Sequence, residues 1–389
     1  MAMPEIPIIE QNLQEEALRA RGIGFGRFLP RWTVSAADFA ERLNRAGARR
    51  SHGEPYTAEG VRDSTGVENR HYLFPIDKTP DQNDAELPRL KAVIGMAKKA
   101  VREALANKGW LPSDVDALLF TTSAPLIHGD QIGPSPSKLL KAAMNMRPWV
   151  KGRDGDVWDE CSSLGTTLKH VWENSQYRDA KVVYVTSEVN SSWGAPGNKH
   201  RGLFSDGAVA AAFIPGEDFE VIAADTQEFP GTVGYFEGPS QPSLTDQEAI
   251  ISFAEAKPST NEKGYGDMNG KAVFAWALRH LPDLMENVRK QTRESGLRVL
   301  FVHQAVGKMT QFIKGLMPDR GLGDVYVPEN IRIHGNIGSA TVPNLLLEVF
   351  QNGWEANGQR LYLQKGDVIS IFVFGLGMKA AQVALRLLK

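Results

Sequence analysis

The chain contains a single cysteine, Cys161, whose surroundings suit a nucleophile. Between Asp156 and Leu168 a partly apolar stretch ends, and a run of small residues then begins a pattern typical of a helix. A thiol in the first turn of that helix would lie beside unpaired backbone N–H groups and the positive end of the helix dipole, which favour its thiolate. Cysteine is also among the most buried residue types, so the local sequence leaves a buried structural thiol open as the alternative.

A histidine and an asparagine in the second half of the chain give the cysteine two candidate chemistries. His303 closes an apolar run, and Asn336 lies in a second small-residue stretch that begins at His334. In a hydrolase, the histidine is a general base that the asparagine orients. In a thioester-condensing enzyme, both side chains donate N–H groups to a thioester oxygen and stabilise an enolate or an oxyanion. The spacing of the three residues does not choose between these chemistries.

The elements that must position these residues alternate between strand-like and helix-like patterns. This alternation predicts an α/β fold with largely parallel, buried strands. The predicted strands are residues 117–122, 181–186, 207–215, 299–303, 368–374 and 380–387. The predicted helices are residues 90–108, 164–176, 270–294 and 342–352.

The order of these elements repeats, which indicates an internal duplication. In each half a helix leads to a strand, a small-residue elbow opens a second helix, and two strands follow; the elbows are residues 161–167 and 335–341. Two such elbows would face each other across a pseudo-twofold axis, and a site between them would draw residues from both halves. The predicted domains are an N-terminal extension, a first half with the cysteine and a second half with the histidine and asparagine, over residues 1–20, 21–225 and 226–389.

The composition excludes several classes of function. The 389 residues include 44 basic and 46 acidic side chains, so the net charge of −2 provides no global field for binding nucleic acid or a membrane. A single cysteine excludes an intrachain disulfide framework and a cysteine-rich zinc site, and we predict no metal. The first ten residues do not resemble a signal peptide, and no run approaches the roughly 18 apolar residues of a membrane helix. We therefore expect a cytoplasmic protein.

Several motifs together resemble one known family. In chain order they are Gly22 to Pro30, Ser64 to His71, Asp-Glu-Cys-Ser-Ser-Leu around Cys161, Phe204 to Ala208, Val-His-Gln-Ala around His303, His-Gly-Asn-Ile-Gly-Ser-Ala-Thr-Val-Pro around Asn336, and Phe-Gly-Leu-Gly ending at Gly377. From about residue 20 onward, the chain resembles the beta-ketoacyl-ACP synthase III family of the thiolase superfamily. This resemblance implies the duplicated, layered α-β-α-β-α fold of the thiolases.

The resemblance also implies roles for individual residues. Cys161 matches the nucleophile that takes the acyl group, while His303 and Asn336 match the residues that face the thioester carbonyl. The backbone N–H groups of Cys161 and Gly377 would form the oxyanion hole, and Lys308 would contact an acidic acyl carrier protein. The family implies a homodimer and no cofactor, because its acyl groups arrive as phosphopantetheine or coenzyme A thioesters.

The chain departs from the family immediately before the nucleophile. Where the family has a small pair such as Ala-Ala, this chain has Asp159 and Glu160. A carboxylate beside a thiolate raises the thiol pKa by like-charge repulsion, so Glu160 either points away and pairs with a base or moves protons in a second chemical step. The second reading resembles the ketosynthase/cyclases that form cyclohexanediones on the way to dialkylresorcinols and related stilbenes.

Other departures concern the acyl donor. The family's tryptophan and arginine that clamp coenzyme A are replaced by Gly60 and Ser64, which favours a donor bound to a carrier protein. The sequence thus predicts a condensing acyltransferase of secondary lipid or polyketide metabolism that also closes a ring. The alternatives are a plain priming enzyme of the synthase III type and an acyltransferase to an oxygen or nitrogen acceptor on the same fold.

Overall fold

The computed structural model describes the chain in segments that cover most of its length. The described residues are 22–74, 86–122, 127–128, 131–132, 135–157, 159–192, 199–228, 251–253, 266–268, 270–292, 295–356, 358–375 and 379–389. Some of these are described by their backbone alone, Glu160 among them.

Nine α-helices occur in these segments. They are α1 (Ala36–Arg45), α2 (Ala58–Thr65), α3 (Glu86–Lys108), α4 (Pro136–Ala143), α5 (Ser163–Glu173), α6 (Gly270–Thr292), α7 (Gly307–Leu316), α8 (Ile331–His334) and α9 (Thr341–Asn352). The strands of the two main sheets are β1 (Gly24–Phe28), β4 (Ala117–Thr121), β7 (Gly155–Val157), β8 (Val182–Val189), β9 (Asp206–Phe213), β10 (Phe219–Glu228), β13 (Leu297–Val302), β16 (Val368–Gly375) and β17 (Lys379–Leu387). Short hairpins pair β2 (Trp32–Ser35) with β3 (Asn69–Tyr72), β5 (Ile127–His128) with β6 (Gln131–Ile132), β11 (Ile251–Phe253) with β12 (Gly266–Met268), and β14 (Trp354–Ala356) with β15 (Gln359–Leu361).

The two main sheets contain both parallel and antiparallel pairs. The first sheet has the strand order β1-β9-β8-β4-β7, and the second has the order β10-β17-β16-β13. Only β4 with β7, β4 with β8, and β13 with β16 are parallel; the other four pairs are antiparallel. The prediction of largely parallel strands is therefore wrong. In the second sheet the reason is the connection between β16 and β17, which spans three residues and is too short for a parallel crossover.

The helices and the two sheets stack in five layers. Helix α3 covers the outer face of the first sheet, and α6 and α7 cover the outer face of the second. Helices α5 and α9 lie between the two sheets, where side chains from both halves form the largest apolar cluster. The predicted α-β-α-β-α arrangement is confirmed. Because α5 follows the first elbow and α9 follows the second, both elbows lie in the central layer.

The predicted strands and helices of both halves are present, with ends that shift by a few residues. The predicted domain boundary after residue 225 lies inside β10, whose partner is β17 of the second sheet. The sequence interpretation missed α1, α2, α4, α7 and the short α8. Helix α2 is followed by Gly66, which has the left-handed φ of 78°.

Close backbone contact at Gly66 joins the two halves near the start of α7. A Cβ on Gly66 would lie 2.7 Å from the Cα of Gly307, so neither position has room for a side chain. The turn after α2 is therefore held directly against the first residue of the helix that follows His303.

Candidate active site

Cys161 lies in a tight 3₁₀ turn, Glu160–Ser162, immediately before α5. The carbonyl of Asp159 accepts hydrogen bonds from the Ser162 N–H at 3.0 Å and from its hydroxyl at 2.5 Å. The Asp159 N–H donates to Ser163 Oγ at 3.1 Å, and the thiol is 9% exposed. The predicted place in the first turn of the α-helix is thus corrected to the 3₁₀ turn that leads into the helix. The short residues around the thiol allow this turn because their hydroxyls bond to the local backbone.

Tight packing of α5 brings this turn to the second half of the chain. A Cβ on Gly165 would lie 2.6 Å from Ala381 Cβ and 3.0 Å from Val373 Cγ2, so the helix rests directly on β16 and β17. Lys379, the first residue of β17, forms a 3.0 Å ion pair with Asp159 Oδ2. Each of these two side chains is about a fifth exposed. The turn that carries Cys161 is thereby tied to the second sheet.

His303 follows β13 directly and is buried. Its N–H donates to the Phe372 carbonyl at 3.0 Å, which continues the β13–β16 pairing by one residue. The imidazole meets the Phe374 ring edge-on, with ring centroids 5.4 Å apart. Its Nδ1 atom has no hydrogen-bond partner among the described residues.

Burial keeps the His303 imidazole neutral. It lowers the pKa of His303 to about 3, because the charged form loses its hydration. A general base works best with a pKa near the operating pH, whereas a neutral imidazole is suited to donate its N–H. This favours the condensing chemistry over the hydrolase chemistry among the two that the sequence leaves open.

Asn336 is held in one orientation by its own turn. The amide Oδ1 accepts hydrogen bonds from the Gly338 N–H at 2.9 Å and from Thr341 Oγ1 at 3.0 Å. A backbone N–H can only donate, so this contact identifies the oxygen and leaves Nδ2 on the other side. Nδ2 has one long contact, 3.4 Å to the carbonyl of Ala305, two residues after His303. Asn336 contacts the segment after His303 through a donor and does not orient the imidazole as it would in a hydrolase.

The two elbows are in contact. The 3₁₀ turn Gly338–Ala340 after Asn336 packs against the turn that carries Cys161. Strand β8 also contacts the turn Gly338–Ala340, and burial raises the pKa of its Tyr184. The predicted juxtaposition of the elbows is therefore present in the central layer.

A buried carboxylate that sequence reasoning missed anchors the second elbow. Glu188 of β8 is fully buried, and its Oε1 accepts hydrogen bonds from the Ser339 N–H at 3.2 Å and from the Ser339 hydroxyl. The same hydroxyl contacts Thr186 Oγ1. A sequence signal was available, since three consecutive polar residues, 186–188, interrupt a largely apolar strand.

The chain matches known proteins over nearly its whole length. Beta-ketoacyl-[acyl-carrier-protein] synthase III of Prochlorococcus marinus strain MIT 9313 is 23% identical over 94% of this chain and 95% of its own. Among solved structures, 3-oxoacyl-(acyl carrier protein) synthase III of Pseudomonas aeruginosa PAO1 has a TM-score of 0.68 at 22% identity, over 95% of this chain and 99% of its own. The chain has a thiolase-like fold and is similar, at low identity, to beta-ketoacyl-ACP synthase III proteins. The predicted enzyme class, an acyltransferase, is confirmed by these relatives.

A second kind of thiolase-fold enzyme is also structurally similar. 1,3,6,8-Tetrahydroxynaphthalene synthase of Streptomyces coelicolor A3(2), a bacterial type III polyketide synthase, has a TM-score of 0.70 at 17% identity, over 95% of this chain and 99% of its own. No family model matches the chain.

Three further residues are predicted to act in the site: Lys308 and Gly377 from the synthase III resemblance, and Glu160 as a departure from it. Lys308 is exposed in the first turn of α7. Gly377 lies outside the described residues, and so does the side chain of Glu160. In the described ranges, no helix is long and apolar enough to cross a bilayer, and no group of three or more acidic, histidine or cysteine side chains is arranged to hold a metal ion.

Proposed function

We propose that this protein is a condensing enzyme that forms a carbon–carbon bond between two thioester-bound acyl groups. The observation that carries the proposal is the contact between the turn of Cys161 and the turn that follows Asn336. In this proposal Cys161 is the nucleophile of one half, and the oriented amide of Asn336 and the imidazole of His303, which follows β13, are the donors of the other half.

Acyl transfer comes first. The Cys161 thiolate attacks the carbonyl of an acyl thioester, a tetrahedral oxyanion forms, and the donor thiol leaves as the new thioester is made. The positive end of the dipole of α5, which begins two residues after Cys161, would favour the thiolate. The backbone N–H groups of Cys161 and Gly377 are proposed to bind the oxyanion.

Carbanion formation comes second. A malonyl-type thioester loses CO₂, and the electron pair passes to its thioester oxygen as an enolate. The neutral imidazole of His303 and the Nδ2 group of Asn336 each offer an N–H to that oxygen. The enolate carbon then attacks the Cys161 thioester, and the thiolate is released with a β-ketoacyl product. The protein itself supplies the nucleophile and the donors, so the proposal includes no cofactor.

The finer features of the proposal rest on the sequence and the relatives. We propose a carrier-protein donor that contacts Lys308, a homodimer and a cytoplasmic location. Ring closure is proposed because Glu160 stands where the family has a small residue, and a second base would serve the extra deprotonations that closure needs. The similarity to a type III polyketide synthase supports a thiolase-fold enzyme of polyketide type.

Intact-protein mass spectrometry tests the nucleophile. The wild type, incubated with an acyl-ACP, should gain the mass of one acyl group, while Cys161→Ala should gain none. Ser175→Ala, at an exposed serine just beyond α5, is the control and should still become acylated. A wild-type protein that gains no mass from any acyl-ACP or acyl-CoA offered would contradict the proposal.

Product analysis tests the later steps. With a β-ketoacyl-ACP added, the acylated wild type should release a cyclic product, and Glu160→Gln should release only a linear one. A linear product from the wild type would refute the role given to Glu160 and leave the condensation intact. Acyl transfer to an added alcohol or amine, without C–C bond formation, would favour the acyltransferase alternative.

A further inference from the structure

Two histidines from different parts of the chain form a continuous chain of hydrogen bonds. His71 Nδ1 contacts the Pro30 carbonyl at 3.2 Å, and His71 Nε2 contacts His334 Nδ1 at 3.1 Å. His334 Nε2 contacts Glu348 Oε1 at 2.7 Å. All four ring nitrogens are therefore used, and the two ends of the chain are oxygens that can only accept from them.

The number of protons in this series of hydrogen bonds follows from the acceptors at its two ends. The Pro30 carbonyl needs an N–H from His71, and the Glu348 carboxylate needs one from His334. The contact between the rings needs a third. Two neutral imidazoles carry only two N–H groups, so the pair must hold one proton more than two neutral rings.

The surrounding charges indicate which ring holds the extra proton. Burial and the neighbouring His334 lower the pKa of His71, which favours a neutral His71. Burial raises the pKa of Glu348, but hydrogen bonds from His334 and Asn330 and the charge of Arg27 outweigh it and keep the carboxylate ionised. His334 is then the imidazolium, between a carboxylate and a neutral ring.

The pair is joined to the backbone that carries Asn336. The backbone N–H of His71 donates to Ser205 Oγ at 3.0 Å, and the Ser205 hydroxyl donates to the backbone carbonyl of His334. The Ser205 N–H donates to the Asn336 carbonyl at 2.8 Å. Between them, Gly335 has a φ of 69°, and a Cβ there would lie 2.8 Å from Ser205 Oγ.

We propose that His71 is a positioning residue for Asn336, acting through a His71–His334 pair that holds one extra proton. The extra proton lets the pair keep all three contacts, to Pro30, between the rings and to Glu348, which fixes the chain direction immediately before Asn336. Two neutral rings offer only two N–H groups, so one of the three contacts would lose its donor. The charged side chains that face the pair in the described structure are Arg27 from β1 and Glu348 from α9, which form a 2.7 Å ion pair.

The pH dependence has a definite sign on the acidic side. The arrangement needs a neutral His71 and an ionised Glu348, and the pKa values of both groups are lowered, so it is lost only on acidification, when either gains a proton. The Asn336-dependent step should therefore fall at low pH.

Two variants of His71 separate positioning from packing. His71→Gln keeps an acceptor for His334 and a donor for Pro30 but does not titrate. His71→Phe fills the space without either. This part of the inference rests on the proposed function: decarboxylation of malonyl-ACP should fall about tenfold to a hundredfold in His71→Phe, with acyl transfer to Cys161 within about threefold of wild type. His71→Gln should retain most of the decarboxylation rate and lose the acidic limb that His71 protonation causes.

A nitrogen NMR spectrum of ¹⁵N-histidine-labelled protein tests the proton count without any substrate. At pH 7 the wild type should show His334 as an imidazolium and His71 as a neutral ring protonated at Nδ1, with the signals assigned through the His71→Gln and His334→Gln proteins. Two neutral rings would overturn the proposal, even if Cys161 becomes acylated. If the wild type shows the imidazolium but His71→Phe decarboxylates malonyl-ACP as fast as the wild type, the positioning role of His71 is refuted. Absence of acylation in the wild type would contradict only the proposed function, because the spectrum still decides the proton count.

Discussion

The two sides of the candidate site are held in different ways; we call them the nucleophile side, around Cys161, and the donor side, around Asn336, after the roles proposed above. Around Cys161 the turn is fixed by short local hydrogen bonds and by one half-buried ion pair, Asp159 with Lys379. Around Asn336 the side-chain oxygen, the backbone N–H and the backbone carbonyl each have a partner at 3.0 Å or less. Its turn is anchored further by buried Glu188 and by the His71–His334 pair.

The difference matches the tasks proposed for the two sides. A nucleophile must approach a carbonyl, carry an acyl group and accept attack on it, so its side chain needs freedom around a fixed backbone. A donor stabilises developing charge only if it already points at the charged atom. More buried polar groups therefore orient Asn336 in the second half than orient Cys161 in the first half.

Replacing the Nδ2 donor of Asn336 by an acceptor should have the largest effect on activity. Asn336→Asp keeps an oxygen for the Gly338 N–H and the Thr341 hydroxyl but replaces the Nδ2 donor by an acceptor. We expect decarboxylation of malonyl-ACP to fall by about 10²–10³, because one preorganised donor is worth that much, while mass spectrometry still shows acylated Cys161. Asn352→Asp, at an exposed position of α9, is the control. Equal losses in acylation and decarboxylation would show that the two sides are not separable.

The buried imidazole of His303 should make the donor side sensitive to acid. The pKa of His303 is about 3 in the folded chain, against about 6.5 when unfolded, so the unfolded state takes up a proton first as the pH falls. The stability that a neutral His303 contributes is complete above about pH 6.5 and is lost towards pH 3.

Chemical denaturation at two pH values measures this loss. Between pH 7 and pH 4 the free energy of unfolding should fall by on the order of 3 kcal/mol more in the wild type than in His303→Gln. His52→Gln, at an exposed site, should behave like the wild type. An identical pH dependence in wild type and His303→Gln would mean that His303 is not kept neutral by the fold.

Sequence alone could predict the layers and the elbows because both depend on local patterns. Apolar runs marked β8, β13 and β16, and the small residues around Cys161 and Asn336 marked the turns. The strand directions could not be predicted in the same way, because an apolar run looks the same in a parallel and an antiparallel pair.

The contacts that fix the site were beyond the sequence for a different reason. Lys379 pairs with Asp159 across 220 positions, and Glu188 reaches Ser339 across 151. His71 reaches His334 across 263. Only the folded chain brings such partners together, so a single sequence identifies the reacting residues more readily than the residues that position them.

Removing the hydroxyl of Ser339 should weaken the donor side by a smaller amount. In Ser339→Ala, Glu188 keeps the backbone N–H and loses the hydroxyl, so a buried carboxylate has one donor fewer. We expect the free energy of unfolding to fall by about 1–3 kcal/mol and malonyl-ACP decarboxylation to fall about tenfold, with acylation of Cys161 unaffected. Ser51→Ala, an exposed serine, is the control. Slower acylation with normal decarboxylation would place Glu188 on the nucleophile side instead.

The ion pair beside the nucleophile should give the smallest effect, in opposite directions for its two members. Asp159→Asn removes a negative charge near the thiol, so the pH midpoint of Cys161 alkylation by iodoacetamide should move down. Lys379→Met leaves Asp159 without this partner and should move the midpoint up.

Each shift should stay below about one pH unit, since both side chains are about a fifth exposed and water screens their charges. The double variant should lie close to the wild type, because the two charges are removed together. Shifts in the same direction would mean that the pair acts by holding the turn rather than by its charges, and the nucleophile side would then depend on orientation as much as the donor side does.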